Sequence, residues 1–497
     1  MNLPFWAVAL LIIFGFTVTY AVIPLAQRWA PRLGLVSPPG GRRNHAQEMP
    51  LTGGWALYLP LATAFLVFFG LTLMGRLTML RPHWGRMISL FLGTTWILIL
   101  GTLDDRLVIG WKQKLAGQLL GGIILVLGGH SISVATIPWV GPVDFGWFGI
   151  PIFLVAVIII TNAINLIDGL DGLAGGICFF AALTSAIIAL AKGDFFTAII
   201  GFTLAGSLLG FLKYNFPPAS IFLGDGGSMM LGFLLGTLAI SSTAFFPGQR
   251  LATSIMIIVP FLPLGIPLFD TALAVLRRGL AGQALFLGDA NHLHHRLMEK
   301  IKAARPTVAI FYFFSASLCA LTLLIVLEVQ SPWLRFLTGC LTLGLMVAVV
   351  WSIRLYSDRS LSITLRNRPH FKFLGEYLRF MKMRALRAKS PTELLSLLET
   401  GVRDLDFDRV EVIHHGEAVN TWINSAPVHP QSPRLTSEES FNGWDLKIKW
   451  SQPLHGDDNY NEYLLLTWRR FLSAIKASLP HHASLTDGEP GEKNRVL

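Results

Sequence analysis

Long apolar runs alternate with short polar clusters over most of the chain. Runs at 3–25, 54–74, 87–103, 115–130, 150–166, 173–191, 195–213, 228–246, 252–275, 307–327 and 334–352 each approach the ~20 residues that a helix needs to cross a bilayer. The pattern predicts an all-α polytopic membrane protein with about eleven transmembrane helices. The run at 115–130 is short and rich in glycine. Only an Asn/Asp cluster separates the fifth and sixth spans, which predicts a tight polar turn there.

The pattern changes after Trp351, where the transmembrane unit (1–355) ends. Residues 356–390 read as a basic juxtamembrane linker, with Arg359, Arg366, Arg368, Lys372, Arg379, Lys382, Arg384, Arg387 and Lys389. Such a segment rests on anionic headgroups, which makes membrane lipid a partner. Residues 391–480 read as a small cytosolic α/β domain. Its predicted parts are a helix over 391–405 opened by Ser390, strands at 409–414 and 444–450, and an amphipathic helix over 462–479. Residues 481–497, rich in Gly, Pro and charge, read as a disordered tail.

Composition supports the membrane assignment. Of 497 residues, 53% are hydrophobic and 14% charged, against roughly 25% charged in a soluble protein. The net charge of +10 does not point to nucleic acid, because Lys and Arg of membrane proteins collect in cytoplasmic loops. Loops after odd-numbered spans carry Arg28, Arg32, Arg42, Arg43, Arg106, Lys112, Lys114, Lys213, Arg277, Arg278, Arg296, Lys300, Lys302 and Arg305. Opposite loops offer Arg76, Arg81, Arg86, Lys192, Arg250 and Arg335. The first set is therefore cytoplasmic, with the N-terminus outside and the C-terminus inside. The first run lacks a basic leader and is followed by Arg28 and Arg32, as in an uncleaved span. Cys178, Cys319 and Cys340 all fall in predicted spans, so no disulfide framework is indicated.

Four polar clusters lie on the predicted cytoplasmic side. Ionisable groups at membrane depth cost on the order of 2.5–3.5 kcal/mol on insertion scales and persist mainly where they are used. Asp104 and Asp105 end the third span, and Lys112, Lys114 and Gln118 follow. An acidic pair neutralised by Arg106 would explain the carboxylates alone; the lysines add a capacity for phosphate. Asn162, Asn165, Asp168 and Asp171 recur every third residue, roughly along one side of a helix, with Gly169 and Gly172 permitting the exit. Such oxygens suit a hard cation like Mg²⁺, with water and substrate phosphate completing the shell; an Asx-capped turn would need only one of them. Asp225, between Gly224 and Gly226, opens the eighth span, where backbone N–H groups can approach phosphate. The same Gly-Asp-Gly sequence also suits an ordinary turn. His292, His294, His295 and Arg296 suit diphosphate or sugar recognition, with a zinc site and a solvated basic loop as competing readings.

At these residues the chain resembles the polyprenyl-phosphate N-acetylhexosamine-1-phosphate transferase family, of glycosyltransferase 4 type, to which MraY-type enzymes also belong. The resemblance covers about 25–300 and includes a loop from Arg43 and His45 through Pro50 to Gly53 and Gly54. The His292-Leu293-His294-His295-Arg296 form is similar to the WecA-like branch, and the Phe-Glu ending of MraY is absent. Asn44 and Thr52 depart from the family's usual residues, and residues after about 360 have no counterpart in the short WecA-type enzymes.

The resemblance implies transfer of a sugar-1-phosphate, with GlcNAc the favoured sugar, from a UDP-sugar to polyprenyl (undecaprenyl) phosphate in the bacterial inner membrane. It implies Mg²⁺, replaceable by Mn²⁺, held by Asp225, Asn165 and Asp168. Asp104, Asp105, Asp168 and Asp171 become candidate catalytic residues. His45, Lys112, Lys114, Asn162, His292, His294, His295 and Arg296 become candidate substrate contacts. A homodimer and downstream glycosyltransferases are the expected protein partners. Competing readings are a phospho-MurNAc-pentapeptide transferase, an ion-coupled transporter, and a scaffold whose C-terminal domain does the work.

Overall fold

The computed structural model describes residues 4–37, 48–77, 83–107, 109–132, 134–137, 141–243, 259–281 and 293–326. Beyond these it describes isolated positions from 333 to 387, then 391–404, 409–414, 417–423, 434–441, 446–453, 472 and 495–496. Among the described residues up to 326, eleven helices are seen: α1 (Phe5–Trp29), α2 (Gly53–Leu73), α3 (Trp84–Leu107), α4 (Trp111–Leu127), α5 (Gly149–Ile167), α6 (Leu173–Ala191), α7 (Phe195–Asn215), α8 (Gly224–Thr243), α9 (Gly265–Ala281), α10 (Leu293–Ile301) and α11 (Ala304–Val326). Seven of them, α1, α2, α3, α5, α6, α7 and α11, are long and apolar enough to cross a membrane. The protein is a multi-pass helical membrane protein.

Burial sorts these helices. Along α8, Met229, Met230, Leu231, Phe233, Leu234, Leu235 and Leu238 are all buried, so this helix is apolar all round and forms the centre. It packs against α3, α5, α2 and α6. By contrast, α1 exposes Phe5, Trp6, Leu10, Ile13 and Trp29, as a peripheral helix facing lipid does. It meets α7 through glycine: a Cβ on Gly206 would lie 2.1 Å from the Ile12 carbonyl oxygen.

Some boundaries differ from the sequence reading. The eighth span begins four residues early, at Gly224, so the Gly-Asp-Gly turn is the first turn of a helix. The fourth begins at Trp111, where the Gln113 side chain accepts the Gly110 N–H at 3.0 Å. The described part of the ninth run begins with a 3₁₀ segment, Val259–Leu264, before α9 continues to Ala281. Most of the eleventh, 334–352, lies outside the described residues. Two short ribbons interrupt the helices: β1 (Val36–Ser37) with β2 (Met49–Pro50), and β3 (Val134–Ile137) with β4 (Gly141–Asp144).

The chain divides into two compact units, one of residues 1–274 and 288–354, the other of 275–287 and 355–497. In the second, α12 (Pro391–Asp404) accompanies a five-stranded sheet. Its strands are β5 (Arg409–His414), β6 (Glu417–Ile423), β7 (Arg434–Phe441), β8 (Leu446–Pro453) and β9 (Arg495–Val496), in the order β7-β8-β5-β6-β9. All pairs are antiparallel except β6 with β9. The expected strands at 409–414 and 444–450 correspond to β5 and β8, whereas β6 and β7 lack the clean alternation that would reveal them. Arg495 and Val496, read from sequence as tail, pair with the open edge of β6, whose backbone groups need partners. The helix expected over 462–479 lies outside the described residues except for Leu472, which is helical and buried.

Candidate active site

Helix ends build the site. Asp104 and Asp105 occupy the last turn of α3, and neighbours on a helix point about 100° apart. Asp104 turns toward α4: Oδ1 accepts the Ile109 N–H at 2.9 Å and Oδ2 accepts from Lys114 Nζ at 2.7 Å. Asp105 turns toward α8 and accepts the backbone N–H groups of Asp225 and Gly226 at 2.8 and 3.1 Å. These are orphan donors of the first helical turn. Asp105 therefore caps α8 from another helix, where a carboxylate also complements the helix dipole. The anion expected at this N-terminus is part of the protein.

Glycines bring the backbones close enough for that cap. A Cβ on Gly54 of α2 would lie 2.4 Å from Gly227 Cα, and one on Gly101 of α3 would lie 2.5 Å from the Asp225 carbonyl oxygen. The first turn of α8 is thus wedged between α2 and α3. Gly53 and Gly54 N–H also donate to the Phe222 and Leu223 carbonyls at 3.0 and 3.1 Å.

Wedged in this way, α8 aims Asp225 at α4 and α5. Its Oδ1 accepts from Asn165 Nδ2 and its Oδ2 from Lys114 Nζ, each at 2.9 Å. Asn165 Nδ2 also donates to Ser228 Oγ at 2.9 Å, while its Oδ1 accepts from Lys114 Nζ at 3.2 Å. The Lys114 ammonium thus meets oxygens from α3, α5 and α8, matching its three donors. Lys114 and Asp104 are mostly covered, whereas the Asp225 side chain is 39% exposed. The cluster opens on the Asp225 side.

Two carboxylates around one ammonium leave one negative charge over, and the surrounding oxygens are hard donors. They already converge on a cation, so the residues fit a hard divalent ion that replaces or displaces the ammonium. Among the described residues, no group of three or more His, Cys, Asp or Glu forms a metal cage. An ion here would use one or two carboxylates, an amide oxygen and ligands from outside the protein, as Mg²⁺ commonly does.

The Asn/Asp cluster fans out instead of sharing one face, because α5 ends at Ile167. Asn162 forms a two-way amide pair with Gln118 of α4, at 2.8 and 3.3 Å. It ties two helices together. Asp168 takes the C-cap position of α5 and is half-buried. Asp171 accepts the Ala219 N–H at 3.0 Å and so holds the α7–α8 connection. Nearby, Gly172 donates to Asn215 Oδ1 at 2.9 Å and accepts from Tyr312 Oη at 2.6 Å, which ties α11 to the same face. Its φ of +75° favours glycine.

The lysines separate as well. Lys112 is exposed and lies over the Trp111 ring, 5.6 Å from its centroid, apart from the Lys114 cluster. His294, expected to hold the donor, is 1% exposed and faces inward to Asp270 of α9. His45 and His292 lie outside the described residues, as do the side chains of His295 and Arg296. Sequence reasoning passed over Asp270, Ser228, Asn215 and Tyr312. Asp270 had a visible signal, a carboxylate inside the apolar run 252–275.

A carboxylate–ammonium–amide cluster at one end of a bundle of membrane-length helices defines a polytopic membrane enzyme. The model for glycosyl transferase family 4 matches residues 87–243, which contain Asp104, Asp105, Lys114, Asn165 and Asp225. The chain is 34% identical over 316 residues to a probable undecaprenyl-phosphate N-acetylglucosaminyl 1-phosphate transferase of Bacillus subtilis, covering 63% of this chain and 83% of the relative. A decaprenyl-phosphate N-acetylglucosaminephosphotransferase of Mycolicibacterium smegmatis is 33% identical, with coverages of 63% and 80%. A phospho-N-acetylmuramoyl-pentapeptide-transferase of Halalkalibacterium halodurans is 34% identical, with coverages of 46% and 74%. The chain belongs to glycosyl transferase family 4 and is a membrane transferase.

Proposed function

We propose that this transferase moves N-acetylglucosamine-1-phosphate from UDP-GlcNAc to a polyprenyl phosphate, releasing UMP and starting a lipid-linked cell-envelope glycan. The observation that carries the reading is the Lys114 cluster, where oxygen acceptors and a cation meet at the ends of membrane-length helices. Similarity to transferases named for polyprenyl-phosphate acceptors and N-acetylglucosamine supports the substrates.

In this reaction an acceptor phosphate oxygen attacks the donor phosphorus that bears the sugar. The bond from that phosphorus to the bridging oxygen breaks, and UMP leaves with the bond electrons. Such phosphoryl transfer needs positioning and charge neutralisation more than covalent help. Asp225, Asn165 and Asp168 would hold Mg²⁺ or Mn²⁺, which supplies neutralisation of the diphosphate charge when bound. Lys114, its ammonium released from the carboxylates, would bind and orient phosphate oxygens. Asp104 sets the position of Lys114. An acceptor phosphate with a second pKa near ~6 is largely dianionic at neutral pH, so Asp104 has little proton to remove. Asp105 keeps α8, and with it Asp225, in register.

The same reading gives the chain about eleven spans in a bacterial inner membrane, with the N-terminus outside and the site and C-terminal unit facing the cytoplasm. The assay is UMP release by the full-length protein in detergent. UDP-GlcNAc, UDP-GalNAc and UDP-MurNAc-pentapeptide are compared with and without Mg²⁺, and the lipid product is identified by mass. UDP-GlcNAc and Mg²⁺ are expected to be required. No lipid-linked product from any donor would refute the activity, and a product from UDP-MurNAc-pentapeptide alone would reassign the donor.

A further inference from the structure

Asp270 is buried five residues into α9 and faces the start of α10. Its Oδ1 accepts the Leu293 N–H at 3.0 Å, and its Oδ2 lies 3.7 Å from His294 Nδ1. Leu293 is the first residue of α10 and its N–H is one of that helix's orphan donors. One carboxylate therefore caps the helix and faces the adjoining imidazole. Both polar side chains are almost fully covered, and a carboxylate at that depth is costly unless it is paired.

This burial removes His294 from direct contact with a large anionic donor. The Asp270–His294 contact also fixes the point at which the chain re-enters after the α9–α10 connection. The residues flanking that point, His292, His295 and Arg296, are the sequence candidates for donor recognition. Of these, His295 and Arg296 belong to α10, so a change at its capped first residue acts on the helix that contains them.

We infer that Asp270 is a positioning residue for donor recognition, acting through the Leu293 amide and the His294 ring and touching no substrate. The inference rests on the proposed UDP-sugar reaction for its kinetic consequence, but its structural half stands apart from it. Asp270→Asn keeps an oxygen to accept the Leu293 N–H and loses the charge facing the imidazole, whereas Asp270→Ala loses both. With the carboxylate charge that faces the imidazole at stake, Asp270→Asn is expected to raise the KM for UDP-GlcNAc about tenfold, with kcat and the polyprenyl-phosphate KM within about twofold. His294→Gln should do the same, and the double variant should be no worse than either single one, as coupled residues behave.

Hydrogen exchange of the full-length protein in detergent supplies a readout that needs no activity. The segment around Leu293 should exchange faster in Asp270→Ala than in the wild type, and less so in Asp270→Asn. Unchanged exchange would overturn the anchor. Faster exchange with strictly additive kinetic effects, or with equal loss for donor and acceptor, would overturn its role in donor recognition. If the wild type released no UMP, the kinetic half would fall with the proposed reaction, while exchange would still decide the anchor.

Discussion

Helices α3 and α8 carry a buried polar group at each of their two shared ends, and the two groups are built differently. At one end, Lys114 reaches Asp104 of α3 and Asp225 of α8, with Asn165 alongside. At the other, His130 lies between the Arg86 carbonyl of α3 and Ser241 Oγ of α8, each at 3.2 Å. The imidazole has two ring nitrogens, and each meets one group: Nε2–H donates to the carbonyl, and Nδ1 accepts from the hydroxyl. Its ring stacks on Phe153. The Lys114 end has more negative charge than its ammonium balances, and Asp225 is partly open to solvent. A balanced, covered group holds helices together; an unbalanced, open one leaves capacity for a ligand.

The sharpest way to break that comparison is to treat the Lys114 end as structural too. Asp225→Asn and Lys114→Met should each lower UMP release by about 10²–10³-fold, because both remove charge from where phosphate charge must be met. Both should still insert and purify, since neither residue holds a helix by itself. Near-normal turnover of either variant at saturating Mg²⁺ would reduce the cluster to a helix clasp.

A smaller loss is expected from Asp105→Asn. One amide oxygen can replace one of the two accepted hydrogen bonds, without the charge that favours a helix N-terminus. A drop of about 10- to 100-fold in kcat would follow from Asp225 moving by a fraction of an ångström to one ångström. Thermal stability should fall as well, by about 1 kcal/mol for a weakened cap. Gly54→Ala tests the same arrangement from α2, since its Cβ would meet the Gly227 backbone. It should cost about 1–3 kcal/mol of stability by overpacking, and turnover should fall although Gly54 presents no side chain to a substrate. Full activity in both variants would show that the wedge does not control Asp225.

Much of this was legible in the sequence because hydrophobic run length and loop charge are local signals. Apolar composition pointed to α1, α2, α3, α5, α6, α7 and α11, and the polar clusters marked their ends. The division of labour among the carboxylates was not legible. Asp104 and Asp105 are identical in type and adjacent, and only the position of α8, 120 residues on, gives one of them Lys114 and the other a helix cap. The early start of α8 was hidden for the same reason, since its cap comes from α3 and no residue just before Gly224 announces it. The spacing of Asn162, Asn165, Asp168 and Asp171 suggested one shared face, but α5 ends at Ile167, so Asn162 and Asn165 turn to α4 and α8 while Asp171 reaches the α7–α8 connection. Asp270 was overlooked because a single carboxylate in an apolar run has no local pattern to join; its partner is 24 residues away.

The smallest effect on catalysis is expected at His130, and pH isolates it. Burial holds its pKa down at about 4, against an ordinary 6.5, and the nearby Arg86 charge adds to this. A depressed histidine pKa means that the unfolded chain binds the proton first. Stability from this residue is therefore complete above pH 6.5 and is lost progressively as pH falls toward 4. The full loss is on the order of 3–4 kcal/mol, from roughly 2.5 pH units at about 1.36 kcal/mol each. Carboxylates titrate in the same range, so the measurement is a difference: melting temperature against pH for wild type and His130→Gln. Glutamine keeps a donor and an acceptor but cannot take up the proton. The variant should melt somewhat lower at pH 7.5, approach or overtake the wild type near pH 4.5, and release UMP within about twofold of normal at neutral pH. A loss of turnover as deep as that of Lys114→Met, in a protein that melts normally, would show that this end of α3 and α8 also takes part in the chemistry.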